Sequence, residues 1–133
     1  MKVDGRCHCG RIRYEAEVDP AKVSLCNCTD CQMLSGSAFR LSVPAPAAKF
    51  RLLTGTPKTY VKTADSGRRR RHSFCADCGT PVAASADDDS PSTYSLRVGC
   101  LAQRLALAPT RRIWMRSALP WAQDVSDVPQ ADA

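Results

Sequence analysis

The sequence predicts a mainly β protein made of small antiparallel sheets with little helix, and two patterns carry that expectation. "RIRYEAEV", residues 11–18, alternates Arg11, Arg13, Glu15 and Glu17 with Ile12, Tyr14, Ala16 and Val18. This is the period-two pattern of a strand with one wet face. The rest of the chain is a series of short strand-like runs separated by Pro, Gly, Asp and Ser, the residues that make tight turns.

Taken in order, the further strand candidates are "SAFRLSV" (37–43), "KFRLL" (49–53), "KTYVKT" (58–63), "RRRHSF" (69–74), "TPVAAS" (80–85), "TYSLRVG" (93–99) and "RIWM" (112–115). "PAPAA" (44–48), "TGTP" (54–57), "ADSG" (64–67) and "DDDSPS" (87–92) read as the turns between them. "KTYVKTADSGRRRRHSF" reads as a hairpin around Asp65-Ser66-Gly67. One short helix is expected in "TDCQMLSG", capped by Thr29 or Asp30 and stopped by Gly36, about two turns long. "CLAQRLAL" (100–107) suits either a second short helix or a loop. "DVSDVPQADA", residues 124–133, has little to bury and is expected to be a flexible tail, which leaves residues 1–123 as a single domain.

The 133 residues, 44% apolar and 24% charged, suit one compact domain. No stretch approaches the roughly 18 apolar residues of a membrane span, and the N-terminus lacks the apolar region of a signal peptide. A cytoplasmic protein is therefore expected. In that compartment thiols stay reduced, so eight cysteines read as metal ligands in preference to a disulfide framework. The formal net charge of +6 favours an anionic partner: nucleic acid, acidic lipid or a small acidic metabolite.

Seven cysteines fall into three groups: Cys7 and Cys9 in "GRCHCG", Cys26, Cys28 and Cys31 in "CNCTDC", and Cys75 and Cys78 in "FCADCG". Each can present thiolates from a tight turn, and a CxxC followed by glycine is half of a zinc knuckle. They divide into four and three. The pairs Cys7/Cys9 and Cys75/Cys78 would close a structural site, since four thiolates saturate zinc, and would tie the N-terminal region to the middle of the chain. The triplet would then hold zinc through three ligands and leave a fourth position for substrate. The alternative is a second closed site, completed by Cys100 or a histidine. Cys100 itself suits core packing, His8 should point away from the neighbouring sulfurs, and His72, after four arginines, should be exposed.

With these motifs, and the late "RRIWMRSALPW", the chain resembles the glutathione-dependent formaldehyde-activating (GFA) family, whose domain is shared with centromere protein V. The resemblance runs from about Val3 to Trp121. It implies a β-tent, or Mss4-like, fold of antiparallel sheets pinned by two zinc ions. One would be structural, on Cys7, Cys9, Cys75 and Cys78, and one catalytic, on Cys26, Cys28 and Cys31. The implied activity is that of a carbon-sulfur lyase, joining a small thiol such as glutathione to an aldehyde, formaldehyde, as S-hydroxymethylglutathione or a related adduct. The chain departs from the family pattern at Gln32, where relatives often carry a basic residue, and in "GCLAQRL", where they tend to carry an acidic pair.

Zinc lowers the pKa of a bound thiol and delivers it as thiolate, the reactive form. Asp30 is placed as a proton relay or as a plain turn residue, and Ser35 and Ser37 as substrate contacts or loop hydrogen-bonders. The alternative functions are a zinc-stabilised nucleic-acid or protein binding module without catalysis. Arg68, Arg69, Arg70 and Arg71 could grip phosphates, but a strand turns alternate side chains to opposite faces. Aromatics make up only 6% of the chain, too few for stacking platforms. The same arginines could pair the carboxylates of a glutathione-like substrate. Trp114 and Trp121 could face a protein partner, but in so small a domain they are expected in the core.

Overall fold

Alternation decides the first sheet. Ile12, Tyr14, Ala16 and Val18 are all buried, while Arg11, Arg13 and Glu17 are exposed, so apolar burial fixes which face of the strand turns inward. The computed structural model describes residues 1–133. Strand β2 (Arg13–Glu17) lies between β1 (Lys2–Arg6) and β5 (Phe50–Thr54) in a three-stranded antiparallel sheet. A larger sheet holds β3 (Ser24–Cys26), β4 (Arg40–Pro46), β6 (Lys58–Thr63), β7 (Arg69–Phe74), β8 (Pro81–Ala86), β9 (Thr93–Arg97) and β10 (Arg111–Ile113). Its seven strands run in the order β10-β3-β4-β9-β8-β7-β6. All neighbours are antiparallel except β10, which lies parallel to β3. The only α-helix, α1 (Thr29–Ser35), follows β3. Both sheets feed one core, in which Val3 and Tyr14 from the first meet Val43 and Leu96 from the second.

The fold is thus mainly β, as the sequence predicts, and the differences are local. Neither β1 nor β3 is signalled by the sequence, because β1 carries Asp4 and Gly5 and β3 is three residues long, too short to show a period. The segment "PAP" is not a turn. Strand β4 continues through Pro44 and Pro46, where β3 has already ended at its pairing with Arg40, Leu41 and Ser42, so a proline without an N–H leaves no ladder bond unmade on that flank. Residues 98–100 and 104–106 form single 3-10 turns, which settles "CLAQRLAL" as loop. The hairpin at Asp65-Ser66-Gly67 is present, closed by Ala64 N–H donating to the Arg68 carbonyl at 2.8 Å. Residues 124–133 are exposed throughout. No helix is long and apolar enough to cross a membrane.

Gly5 has a packing role. It pairs across the sheet with Tyr14, and a Cβ at position 5 would overlap the Tyr14 ring. Gly5→Ala is expected to destabilise the fold by about 1–3 kcal/mol, the range for overpacking a core. Tyr14→Phe should be close to neutral, because the buried Tyr14 hydroxyl has no hydrogen-bond partner. Urea midpoints of the two variants against the parent check both expectations.

Candidate metal centres

Two turns of the same design build the first cluster. Cys7-His8-Cys9-Gly10 connects β1 to β2, and Cys75-Ala76-Asp77-Cys78-Gly79 connects β7 to β8. Each turn ends on a glycine with positive φ, +81° at Gly10 and +75° at Gly79, a conformation that costs other residues. In each, the glycine N–H donates to the carbonyl of the first cysteine, at 3.1 and 2.8 Å. His8 N–H donates to Thr80 Oγ1 at 3.0 Å and ties the turns together.

The sulfurs of Cys7, Cys9, Cys75 and Cys78 consequently all lie within 4.8 Å of one another. Cys7 and Cys9 are 3.5 Å apart, and Cys9 and Cys75 3.8 Å. A tetrahedral ion with metal–sulfur bonds of about 2.3 Å has edges of roughly 3.8 Å, so the donor set fits a four-coordinate, thiophilic metal. Ile12 N–H donates to Cys7 Sγ at 3.3 Å, and the Thr80 hydroxyl lies 3.1 Å from Cys78 Sγ, contacts that stabilise thiolate. The Thr80 hydroxyl, with backbone N–H groups, holds the Cys78 thiol down at about 5.

The second cluster sits where β3 meets α1. Cys26 ends the strand, and Cys28 is the helix N-cap, its Sγ accepting the Cys31 N–H at 3.3 Å. The cap is therefore a ligand-type cysteine instead of Thr29 or Asp30, while Gly36 closes the helix at φ 63° as expected. The three sulfurs lie within 4.8 Å of one another, and all three residues are half-buried. A hydrogen bond from Cys31, reinforced by the Cys28 backbone and the Arg40 charge, brings the Cys26 thiol down to about 5. The same pairing with Cys26 drives Cys31 upward.

This loop is fastened to the C-terminal segment. Asn27 is fully buried and donates through Nδ2 to the Ile113 carbonyl at 3.1 Å. Gln32 donates through Nε2 to the carbonyls of Asn27, at 2.8 Å, and Ser117, at 2.9 Å. The residue that departs from the family pattern thus holds loop backbone. Gln32→Ala, leaving two carbonyls without that donor, is expected to cost about 1–3 kcal/mol. Its denaturation midpoint, followed by tryptophan fluorescence, checks the loss.

Cys26 and Cys31 line a cavity of about 350 Å³ on the larger sheet. Arg40, Lys62, Arg70, His72, Arg97 and Arg111 line it as well, and no carboxylate does. Arg97 donates to Ser42 Oγ at 2.9 Å and lies 3.2 Å from His72 Nδ1. Burial, with the adjacent charge of Arg40, brings Arg97 down to about 10, and burial with the Arg97 charge brings His72 down to about 4. His72 is therefore neutral at pH 7 and accepts from Arg97 at Nδ1, which leaves its proton on Nε2.

Seven of the eight cysteines fall into these clusters, divided four and three, and Cys100 does not. Cys100 is half-buried and donates to the Pro81 carbonyl at 3.1 Å. His8 is exposed and in neither cluster. Two expectations are corrected. His72 is half-buried on the cavity wall, because it sits on β7 between β6 and β8. Trp114 and Trp121 are 43% and 68% exposed, because both lie in the irregular chain after β10, with Trp114 stacked under Arg116 at 4.6 Å. Asp30 is exposed and paired with Lys62 at 2.5 Å, and the Ser35 hydroxyl donates to the carbonyls of Gln32 in its own helix and Phe39 beyond it. Within the arginine run, Arg69 and Arg71 both pair with Asp87 at 2.9 Å, while Arg70, on the opposite face, lines the cavity. Sequence reasoning missed Arg40, Arg97 and Arg111, which lie far apart in the sequence and meet only through strand pairing.

None of the curated proteins compared with this chain matches it. A crystal structure of a Rhodobacter sphaeroides protein from a structural genomics programme has a similar fold, with a TM-score of 0.62 at 22% identity over 84% of this chain and 99% of that one. The family profile described as "GFA: Glutathione-dependent formaldehyde-activating enzyme" matches residues 2–117. That match covers most of the chain and both cysteine clusters, so this protein belongs to the glutathione-dependent formaldehyde-activating enzyme family.

Proposed function

We propose that the protein is a zinc-dependent carbon-sulfur lyase acting on a thiol–aldehyde adduct, S-hydroxymethylglutathione or the adduct of a related small thiol. Cys7, Cys9, Cys75 and Cys78 hold a structural ion, and Cys26, Cys28 and Cys31 a catalytic one. The observation that carries the reading is the unequal division of the sulfurs, four in one cluster and three beside a cavity. All eight cysteines are free, which suits metal ligation in a reducing cytoplasm. Cys26, Cys28 and Cys31 would hold zinc through three thiolates, and zinc so bound would favour the thiolate form of an external thiol at neutral pH.

The chain's own residues complete the chemistry. In the cleaving direction the adduct's carbon–sulfur bond breaks, its electron pair stays on sulfur, and the hydroxyl proton passes to solvent water as the carbonyl forms. Joining thiol and aldehyde is the reverse. Arg40, whose charge favours the Cys26 thiolate, offers the same support to a substrate sulfur in that cavity. His72 Nε2–H is buried and unpartnered, and it is the donor assigned to the aldehyde oxygen. Arg97, bonded at Nδ1, fixes the tautomer that makes His72 a donor there.

Nucleic-acid binding has less support. Arg69 and Arg71 are engaged by Asp87, and Arg40 and Arg97 are buried, where a phosphate backbone does not reach. The test is S-hydroxymethylglutathione equilibration by NMR exchange, with glutathione and a panel of small thiols. Acceleration with at least one thiol is expected, and a rate equal to the uncatalysed one with all of them would remove the proposal.

A further inference from the structure

The register of the larger sheet brings one line of polar side chains across four strands. Arg111 of β10 pairs with Ser24 of β3, Ser24 with Ser42 of β4, and Ser42 with Arg97 of β9. Both arginines are held by the serines between them, Arg111 Nε on Ser24 Oγ at 2.6 Å and Arg97 Nη1 on Ser42 Oγ at 2.9 Å. The adjacent line, two residues along, is Ile113, Cys26 and Arg40. Two residues of strand span roughly 6.6 Å, so the arginine line runs about one short carbon chain away from the sulfur cluster.

These cations have no carboxylate counter-ion; the anionic groups that face them are the thiolates of the sulfur cluster. None of the ion pairs of the protein includes Arg40, Arg70, Arg97 or Arg111. Arg40 and Arg97 are nonetheless 5% and 8% exposed, and Arg97 Nε is buried without a partner. Burying a guanidinium is costly unless an anion or hydrogen bonds compensate it, and no carboxylate lines the cavity to do so. Asp30, next to Cys31 in sequence, is occupied by Lys62. Three thiolates around a divalent zinc would carry one net negative charge, less than four guanidinium groups call for, so a ligand anion would supply the rest.

We infer that this cavity recognises the acid end of its thiol substrate as a compact dianion, two neighbouring carboxylates or a phosphate monoester, and offers no partner for an ammonium group. The inference rests on the lyase reading for the thiol, but the anion subsite is defined by Arg40, Arg70, Arg97 and Arg111 alone. Guanidinium groups bind carboxylate and phosphate through paired N–H donors, and the Ser24–Ser42 link presets the spacing of two of them. Glutathione carries an α-ammonium as well as two carboxylates. In this cavity its ammonium would face guanidinium groups without a carboxylate to pair with, so a purely anionic thiol acid is the better match.

Calorimetric titration of the metal-loaded protein tests this. Mercaptosuccinate is expected to bind about tenfold tighter than 3-mercaptopropionate, the range for one added charged hydrogen-bonded pair, and tighter than glutathione, with cysteamine weakest. Succinate, which has no thiol, should compete with mercaptosuccinate. Arg70→Gln and Arg111→Gln, at a half-buried and an exposed position that spare the core, should each weaken succinate and mercaptosuccinate about tenfold and should not weaken cysteamine. Arg97→Gln should do so more strongly, with circular dichroism confirming its fold. Succinate binding that depends on these arginines, in a protein without lyase activity, would uphold the subsite and sink only the lyase reading. Cysteamine or glutathione binding as tightly as mercaptosuccinate, or arginine variants that bind succinate like the parent, would overturn the inference even if the lyase is active.

Discussion

Cys75→Ser is expected to leave the protein unfolded, or molten, at room temperature. Cys75 is 1% exposed, packed in the core together with Cys7, and its turn joins β7 to β8 while the opposing turn joins β1 to β2. The four-sulfur cluster therefore joins a turn of each sheet, and a metal held there would clamp the two sheets together. Metal binding at such sites is worth on the order of 10 kcal/mol, comparable with the roughly 5–15 kcal/mol of total stability of a domain. Losing one ligand removes much of that. Near-ultraviolet circular dichroism and metal content check the result: loss of fixed tertiary signal is expected, and a natively folded variant with a melting temperature close to the parent's would contradict the structural role of this cluster.

Cys28→Ser should have the opposite profile, folded but inactive. Serine is among the best N-cap residues, so the cap that Cys28 gives to α1 by accepting the Cys31 N–H survives the exchange. The four-cysteine clamp is untouched. What is lost is one of three sulfurs, and the expected outcome is one bound metal instead of two, with lyase turnover at the uncatalysed rate. Cys28→Ala should lose the same activity and about 1 kcal/mol of stability besides, through the missing cap. Metal content, melting temperature and adduct equilibration on the same preparations separate the two effects.

Much of the fold was legible because it is written locally. The β2 alternation, the Asp65-Ser66-Gly67 hairpin and the Gly36 helix stop each depend on a few neighbouring residues. The four-plus-three division of cysteines was legible too, since thiols two or three residues apart share one turn and a closed zinc site needs four ligands, which joins the two pairs. What escaped depends on partners distant in sequence. Strand β3 exists because β4 and β10 flank it, and β4 tolerates Pro44 because β3 stops at Ser24, opposite Ser42. The cationic wall is of the same kind. Arg40, Arg97 and Arg111 are unremarkable, widely separated arginines until register sets them on one face, whereas "RRRR", the conspicuous run, gives Arg69 and Arg71 to Asp87 and only Arg70 to the cavity. Gln32 shows the limit of reading a departure by position, since its amide serves the backbone of Asn27 and Ser117.

If the three-cysteine cluster is an open metal site, an added thiol completes its coordination. A crystal structure of the zinc-loaded protein soaked with a small thiol tests it most directly. The prediction is a zinc ion on Cys26, Cys28 and Cys31 with the sulfur of the added thiol as its fourth ligand, at about 2.3 Å, and a second ion on Cys7, Cys9, Cys75 and Cys78 that takes none. A fourth protein ligand on the three-cysteine ion, from Cys100 or a histidine, with the thiol excluded, would contradict it.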